Sequence, residues 1–382
     1  EVCGRCRECY NRGGVNVMGC SFSSIQQQGR FVFWGSNGNP APTDEQKRQA
    51  ISRENASSPF SRFIGNDKAI RKLQAAAFKA LGDPNHMMRD LAFAIYGPAS
   101  AGKTTLARLY ADTVELPFIE ISPKQVKKIE DIFKCINNVL TSKGIPLISY
   151  AKDKYNLPPC VIFLDEVHAL SDNVVQGLLK ATEYNDCVMA TESGKTLLTK
   201  CATWMIATTD EGRLFDAFRT RFSPVQLSYL TKVEISKIVR LSNPHLSQVV
   251  CDLVAHYNGR IPRKALEFAR YMVLVKDMNP SQTWDAIARQ VADDEGIDSF
   301  GMHEVHLRIL KSLANGPVAA KRIPSIVGRK AEEVERFVLP VLMVETEDQP
   351  SLITTCSRGY VLTDAGIKEL AKRNISYSVA AA

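Results

Sequence analysis

The segment Gly97-Pro98-Ala99-Ser100-Ala101-Gly102-Lys103-Thr104-Thr105 sets two glycines, a lysine and a hydroxyl in the spacing G-x-x-x-x-G-K-[ST]. Glycines let a turn wrap a polyphosphate with backbone N–H groups, and a helix starting at its end adds a favourable dipole. The lysine and the hydroxyl then have defined tasks. Lys103 would reach the β- and γ-phosphates, and Thr104 would offer its oxygen to Mg²⁺. Downstream, Cys160-Val161-Ile162-Phe163-Leu164-Asp165-Glu166 is an apolar run that ends in two carboxylates. Such a run suits a central parallel strand buried on both faces, whose C-terminal end is where ligands sit in an open α/β sheet. Asp165 would hold the magnesium, directly or through water, and Glu166 would orient or deprotonate an attacking water. Together the two segments predict an ATPase.

These groups need a frame to position them. Leu91–Tyr96 reads as the strand before the phosphate loop and Thr104–Val114 as the helix after it. Further strands are expected at Phe118–Ile121, Val161–Leu164 and Trp204–Ala207, with a first helix over Asp67–Leu81. Strands alternating with helices imply a parallel sheet covered on both sides. Two short apolar runs flank Thr191-Glu192-Ser193-Gly194-Lys195 and suggest a projecting hairpin. Thr231 to about Ala292 is helical throughout. Beyond Ser299, short helices lead to Leu352-Ile353-Thr354-Thr355, a turn at Ser357-Arg358-Gly359, and Tyr360-Val361-Leu362, the order of a winged helix.

A chain of 382 residues is too long for one ordinary core, and two or three domains are expected. Its apolar fraction of 45% and charged fraction of 23% suit a soluble globular protein. No apolar run approaches the roughly 18 residues of a membrane span. The chain opens without Met and without a secretory pattern, as a trimmed or partial product would. The net charge of +7 permits a polyanionic partner without requiring one.

Ten cysteines fall into two sets. Cys135, Cys160, Cys187, Cys201, Cys251 and Cys356 are scattered and read most simply as small buried hydrophobes. Cys3, Cys6, Cys9 and Cys20 crowd one short head, where four thiolates suit tetrahedral Zn²⁺. The same spacing could hold an iron–sulfur cluster, or the head could be a tail with reactive thiols. Arg5, Arg7 and Arg12 interleave with these cysteines, which suits a nucleic-acid or protein contact.

From about Phe60 to Leu370 these pieces resemble the AAA+ ATPases, and among them most closely the RuvB-like motors of Holliday-junction branch migration. Phe63-Ile64-Gly65-Asn66 resembles the opening segment that lies along the adenine. Gly97, Ala101, Gly102, Lys103, Thr104 and Thr105 fall in its phosphate loop, and Phe163 to Leu170 resembles its magnesium strand. Ile206-Ala207-Thr208-Thr209 resembles sensor 1, with Thr208 favoured for the γ-phosphate contact and Thr209 close behind. Leu214–Phe222 resembles the segment ending in an arginine finger, assigned to Arg221. Ile261-Pro262-Arg263 resembles sensor 2, so Arg263 would contact the γ-phosphate in cis. From the residues alone, Arg219 and Arg221 could also be a solvated charge pair, and Arg263 could cap a helix or pair with Glu267. His168 reads as a structural polar residue. Departures from the family pattern are Asp210-Glu211 after the threonines, where an arginine is usual, Ala99-Ser100-Ala101 in the phosphate loop, and Cys356-Ser357 in the wing.

The resemblance implies an α/β P-loop AAA+ core, a parallel sheet sandwiched by helices, followed by a helical lid and a C-terminal winged helix, with the small cysteine head added. The expected boundaries are 1–34 for the head, 35–58 for a linker, 59–224 for the ATPase domain, 225–298 for the lid and 299–376 for the winged helix. It implies ATP and Mg²⁺, a homo-oligomer (a hexamer in the family) on duplex or branched DNA, a possible junction-binding protein partner, no membrane, and a cytoplasmic, nucleoid-associated setting or a host cytoplasm for a viral source. DNA contacts are expected at Arg358, beside a glycine that lets the backbone approach a phosphate, and at Lys321, Arg322, Arg329 and Lys330. A reading of another class is an ATP-controlled loader or recruitment factor on DNA, as clamp loaders and transposition regulators are.

Overall fold

The computed structural model describes residues 59–82, 92–183, 187–258 and 261–377. The cysteine head with Cys3, Cys6, Cys9 and Cys20, and the expected linker, lie outside the described residues.

Five parallel strands form the central sheet in the order β2-β5-β8-β1-β9. They are β1 (Ala92–Tyr96), β2 (Phe118–Ile121), β5 (Cys160–Leu164), β8 (Ala202–Thr208) and β9 (Ser223–Gln226). Period-two alternation divides their side chains between two apolar layers. Ala94, Tyr96, Ile162, Leu164, Trp204 and Ile206 face the helices Ile129–Ser142 and Asp172–Ala181. Phe93, Ile95, Val161, Phe163, Met205 and Ala207 face the helices Asp67–Gly82 and Lys103–Thr113. The continuous apolar runs of the sequence are thus explained: both faces of these strands are covered.

The sequence reading lacked β9. Its Pro224 cannot donate a ladder bond, and the strand pairs with β1 alone, at the sheet edge where proline is tolerated. A second sheet, in the order β3-β4-β7-β6, was half anticipated. β6 (Val188–Ala190) and β7 (Thr196–Leu198) are the expected hairpin. It does not project freely: Glu130, in the first turn of a neighbouring helix, accepts from the backbone N–H groups of Glu192 and Ser193 at its tip. The more exposed pair is β3 (Ile148–Ala151) with β4 (Lys154–Asn156), where Ile148 and Tyr150 are 43% and 47% exposed.

Four helices, Lys232–Ser242, Gln248–Tyr257, Pro262–Met278 and Trp284–Asp294, enclose a third apolar core around Val254, Phe268 and Ile287. Thr231 and Glu234 form a reciprocal cap at the start of the first. A fourth core gathers Leu310, Ile323, Val338, Ile353 and Leu370. Over it lies the antiparallel hairpin of β10 (Ile353–Cys356) and β11 (Gly359–Leu362). Val318 adds a backbone bridge to Tyr360, with N–H to O distances of 3.0 and 2.9 Å. Arg373 fastens this region to the chain entering it. Its guanidinium donates to both oxygens of Asp298, at 2.5 and 3.1 Å, and to Glu369 at 2.8 Å. The helical stretch over 331–343 is continuous but uneven: Val334–Val338 widens into a π turn between Ala331–Glu333 and Leu339–Met343. Pro340 supplies the cause, since it has no N–H for the carbonyl four residues back, that of Arg336.

Among the cysteines, Cys160, Cys187 and Cys251 are buried as expected, but Cys356 stands exposed on β10. No helix among the described residues is long and apolar enough to cross a membrane.

Candidate active site

Register brings the chemistry to one edge of the main sheet. Tyr96 pairs with Thr208, and Leu164 with Ile206, so β1, β5 and β8 end nearly level. The phosphate loop, the Asp165-Glu166 pair and Thr208-Thr209 therefore emerge together, at the C-terminal edge where open α/β sheets hold ligands.

The loop's backbone is turned as anion binding requires. Gly97, Ser100 and Gly102 have φ of +152°, +64° and +92°. At Gly97 a Cβ would lie 2.7 Å from the carbonyl oxygen of Leu227, so no other residue fits. The helix Lys103–Thr113 has no side-chain cap, and its internal bonding begins at the Leu106 N–H, 2.8 Å from the Gly102 carbonyl. The N–H groups before Leu106 belong to a bare helix start, which favours a polyphosphate. Ala101 is buried beneath the loop, and Thr105 faces outward.

Lys103 is only 6% exposed. Its ammonium donates to the Gly97 and Pro98 carbonyls, 3.1 Å each. Burial lowers its pKa, while Glu166 and Asp165 pull it back up. Thr104 Oγ1 lies 3.5 Å from Asp165 Oδ2. A hydroxyl and a carboxylate so placed suit Mg²⁺, which takes few protein ligands and fills its octahedron with phosphate and water. Burial and the adjoining Glu166 raise the Asp165 pKa. A divalent cation would relieve that crowding of negative charge.

Glu166 sits in the left-handed region, at φ +45°. Its Oε2 accepts from the Thr209 hydroxyl at 3.0 Å and the Thr209 N–H at 3.2 Å, with His168 Nδ1 at 3.3 Å. Thr208, favoured in the sequence for the γ-phosphate, is only 1% exposed. Its hydroxyl is engaged by His168 at 2.8 Å and by the backbone of Asp210. Thr208, the last residue of β8, is buried, and Thr209, just past the strand, meets the carboxylate. The departing Asp210 pairs with Arg213 at 3.0 Å.

The opening segment is clipped to the connector that leads into the lid. Asn66 Oδ1 accepts from the Ser228 N–H at 2.8 Å and its hydroxyl at 3.0 Å. Gly65, at φ +77°, is pressed against Leu230 and Glu234, with Ile64 half-buried beside it. The structure thus places this segment at the junction of the second and third apolar regions.

The arginines are not gathered at the phosphate loop. Arg221 donates to Glu183 at 2.9 Å and to the Ala217 carbonyl at 3.1 Å. Arg219 is held by Glu211 and Asp216. Arg263 opens the helix Pro262–Met278 and is exposed, and Glu267, its expected alternative partner, pairs with Lys264 instead. Lys321, Arg322, Arg329, Lys330 and Arg358 are exposed, with Arg329 paired to Glu333. The reason given for Arg358 needs correction. Gly359 has φ +128°, and a Cβ there would lie 2.2 Å from the Val318 carbonyl oxygen. Its lack of a side chain serves packing inside the protein, not approach to a phosphate. Among the described residues no cluster of three or more His, Cys, Asp or Glu could hold a metal.

Comparison with known proteins agrees with this geometry. Residues 93–228 match the model of the ATPase family associated with various cellular activities (AAA). The Holliday junction branch migration complex subunit RuvB of Ehrlichia ruminantium is 24% identical over 327 residues, 81% of this chain and 89% of that protein. RuvB of Latilactobacillus sakei is 25% identical, covering 86% of this chain and 96% of the relative. The Thermotoga maritima RuvB Holliday junction branch migration motor shares the fold with a TM-score of 0.62 and 21% identity, over 81% of this chain and 95% of that one.

Proposed function

We propose that the chain is a divergent AAA+ ATPase of the RuvB-like family, which uses ATP to move duplex DNA or drive branch migration of four-way junctions as a ring-shaped oligomer. One observation carries this reading. The likeness to RuvB extends over nearly the whole of those relatives, lid and C-terminal region included, while the phosphate loop and the paired carboxylates remain intact.

In this reading each nucleotide sits between two subunits. The phosphate-loop amides and the first helical turn bind the polyphosphate, and Lys103 exchanges its two carbonyl partners for phosphate oxygens. Thr104 and Asp165 would hold Mg²⁺, which would supply charge neutralisation for the transferred phosphoryl group. Glu166 orients and deprotonates the attacking water, with Thr209 rather than Thr208 as its neighbouring hydroxyl. Arg221 acts on the next subunit's nucleotide. Leaving Glu183 costs little, because a partly exposed ion pair is worth under about 1 kcal/mol. An arginine suits the task because it stays charged and bonds two oxygens at once. Arg263 serves its own subunit's nucleotide from the lid. Residues 299–376, as a winged helix, contact phosphates through Arg358 and the basic group at Lys321, Arg322, Arg329 and Lys330.

ATP hydrolysis measured alone, with linear duplex and with a four-way junction, alongside the mass of the assembly in nucleotide, tests this reading. The expected result is DNA-stimulated turnover by a ring-sized oligomer. A monomer that hydrolyses ATP at full rate would overturn it.

A further inference from the structure

His168 was read from the sequence as a structural residue, and its surroundings assign it more. The side chain is 4% exposed and makes contacts on both ring nitrogens. On one side Nδ1 faces Thr208 Oγ1 at 2.8 Å and Glu166 Oε2 at 3.3 Å. On the other, Nε2 is 2.6 Å from the guanidinium of Arg336, a residue 168 positions away. Arg336 belongs to the C-terminal region and lies on the π turn opposite Pro340. Its second contact is Glu332 on its own helix, at 3.4 Å.

Donor and acceptor roles follow from chemistry. A guanidinium only donates, so Nε2 must accept. His168 is therefore neutral with its proton on Nδ1, the nitrogen that faces the general base. Burial lowers the His168 pKa; Glu166 opposes it and Arg336 adds to it, and the net direction agrees with a neutral ring. Nδ1–H donates to Thr208 Oγ1 at 2.8 Å, and the ring sets that nitrogen 3.3 Å from Glu166 Oε2, which itself accepts from the Thr209 hydroxyl and N–H. A carboxylate with polar neighbours on two sides is held in one orientation.

We propose that Arg336 is a positioning residue that restrains Glu166 through His168, so that displacement of the C-terminal helix releases the general base for hydrolysis. This rests on the ATPase reading above and deepens it by making the DNA-facing region a brake on the water-activating carboxylate. When Arg336 withdraws, Nε2 loses its donor, the fixed tautomer is lost, and the His168 ring is no longer held on Thr208 and against Glu166. The widened turn gives that withdrawal a structural seat, since π turns are irregularities at which a helix can shift.

The test compares Arg336→Ala, Arg336→Lys and His168→Phe with the unaltered full chain. DNA-independent kcat should rise about tenfold or more in Arg336→Ala and His168→Phe, the worth of one hydrogen bond to a charged group. KM for ATP should stay unchanged, and the ratio of DNA-stimulated to basal turnover should shrink by the same factor. The double variant should do no more than the larger single one, and Arg336→Lys should restore part of the restraint. A readout independent of turnover is the ¹⁵N spectrum of the histidine rings, manageable because the chain holds six histidines. The His168 signal, identified by its loss in His168→Phe, should show a protonated Nδ1 and a bare Nε2, and Arg336→Ala should abolish that pattern. Unchanged or lower basal kcat in Arg336→Ala, or a His168 tautomer indifferent to Arg336, would overturn the proposal. Lack of any ATPase activity in the unaltered chain would instead overturn the reading on which it stands.

Discussion

Gly102 and Gly359 each adjoin a basic residue at a positive φ, and their neighbourhoods differ in kind. Beside Lys103, a Cβ on Gly102 would meet the tip of the Phe63 ring at 2.9 Å, a side chain able to swing aside. Beside Arg358, a Cβ on Gly359 would meet backbone at 2.2 Å, held by the Val318–Tyr360 bridge. In the phosphate loop the turned backbone leads to a bare helix start. In the β10–β11 hairpin the protein's own chain takes up the approach that glycine permits. A glycine next to a cation therefore signals a ligand only where the amides around it are left for one.

The comparison can be broken first at the phosphate loop's end of the sheet. Glu166→Gln and Arg221→Ala should each cut ATPase turnover by about 10³-fold, with nucleotide binding retained. Mixing the two variants should restore a measurable fraction of activity, since some boundaries would then pair an intact Glu166 with an intact Arg221. Strictly additive inactivity on mixing would argue that Arg221 serves its own subunit. Next in size, Gly359→Ala should destabilise the C-terminal region by about 2–3 kcal/mol, read by denaturant unfolding. A neutral outcome there would mean that the backbone yields, and the contrast with Gly102 would fail.

Arg358→Ala separates the cation from its glycine. Stability should move by no more than about 0.5 kcal/mol, while the slope of log duplex affinity against log salt should fall by about 0.9, one phosphate contact. An unchanged slope would remove Arg358 from the DNA face. The smallest effect concerns acid stability. Burial opposes ionisation of Asp298 and Glu369, but hydrogen bonds from Arg373 and neighbours outweigh it and hold both below the usual carboxylate range. The stability they contribute is present above their unfolded pKa values, near about 4, and is lost as pH falls through the depressed folded values. Arg373→Met should flatten that acid limb in melting temperature against pH, and an identical limb would assign it to other groups.

Most of the site was legible because its parts are local. The loop spacing, the apolar run into Asp165-Glu166 and the strand ending at Thr208 each occupy a few consecutive residues, and a parallel sheet aligns their ends. Four things escaped for physical reasons. Pro224 disguised β9, because a proline argues against a strand unless the strand is known to lie at an edge. The β3–β4 hairpin carries Ile148 and Tyr150 outward, so its pattern lacks the buried face by which strands are found. The choice between Thr208 and Thr209 depended on where β8 ends, since Thr208 is its last residue and Thr209 lies just past it. The Arg336–His168 contact joins residues with no sequence relation at all, and only folding brings them together.

Migration of a fluorescently labelled four-way junction tests the central claim most directly. With ATP and Mg²⁺, the full chain should convert the junction to paired duplex products, and Lys103→Ala should leave it intact. ATP consumption stimulated by the junction with no strand exchange and no displacement along duplex would contradict the account.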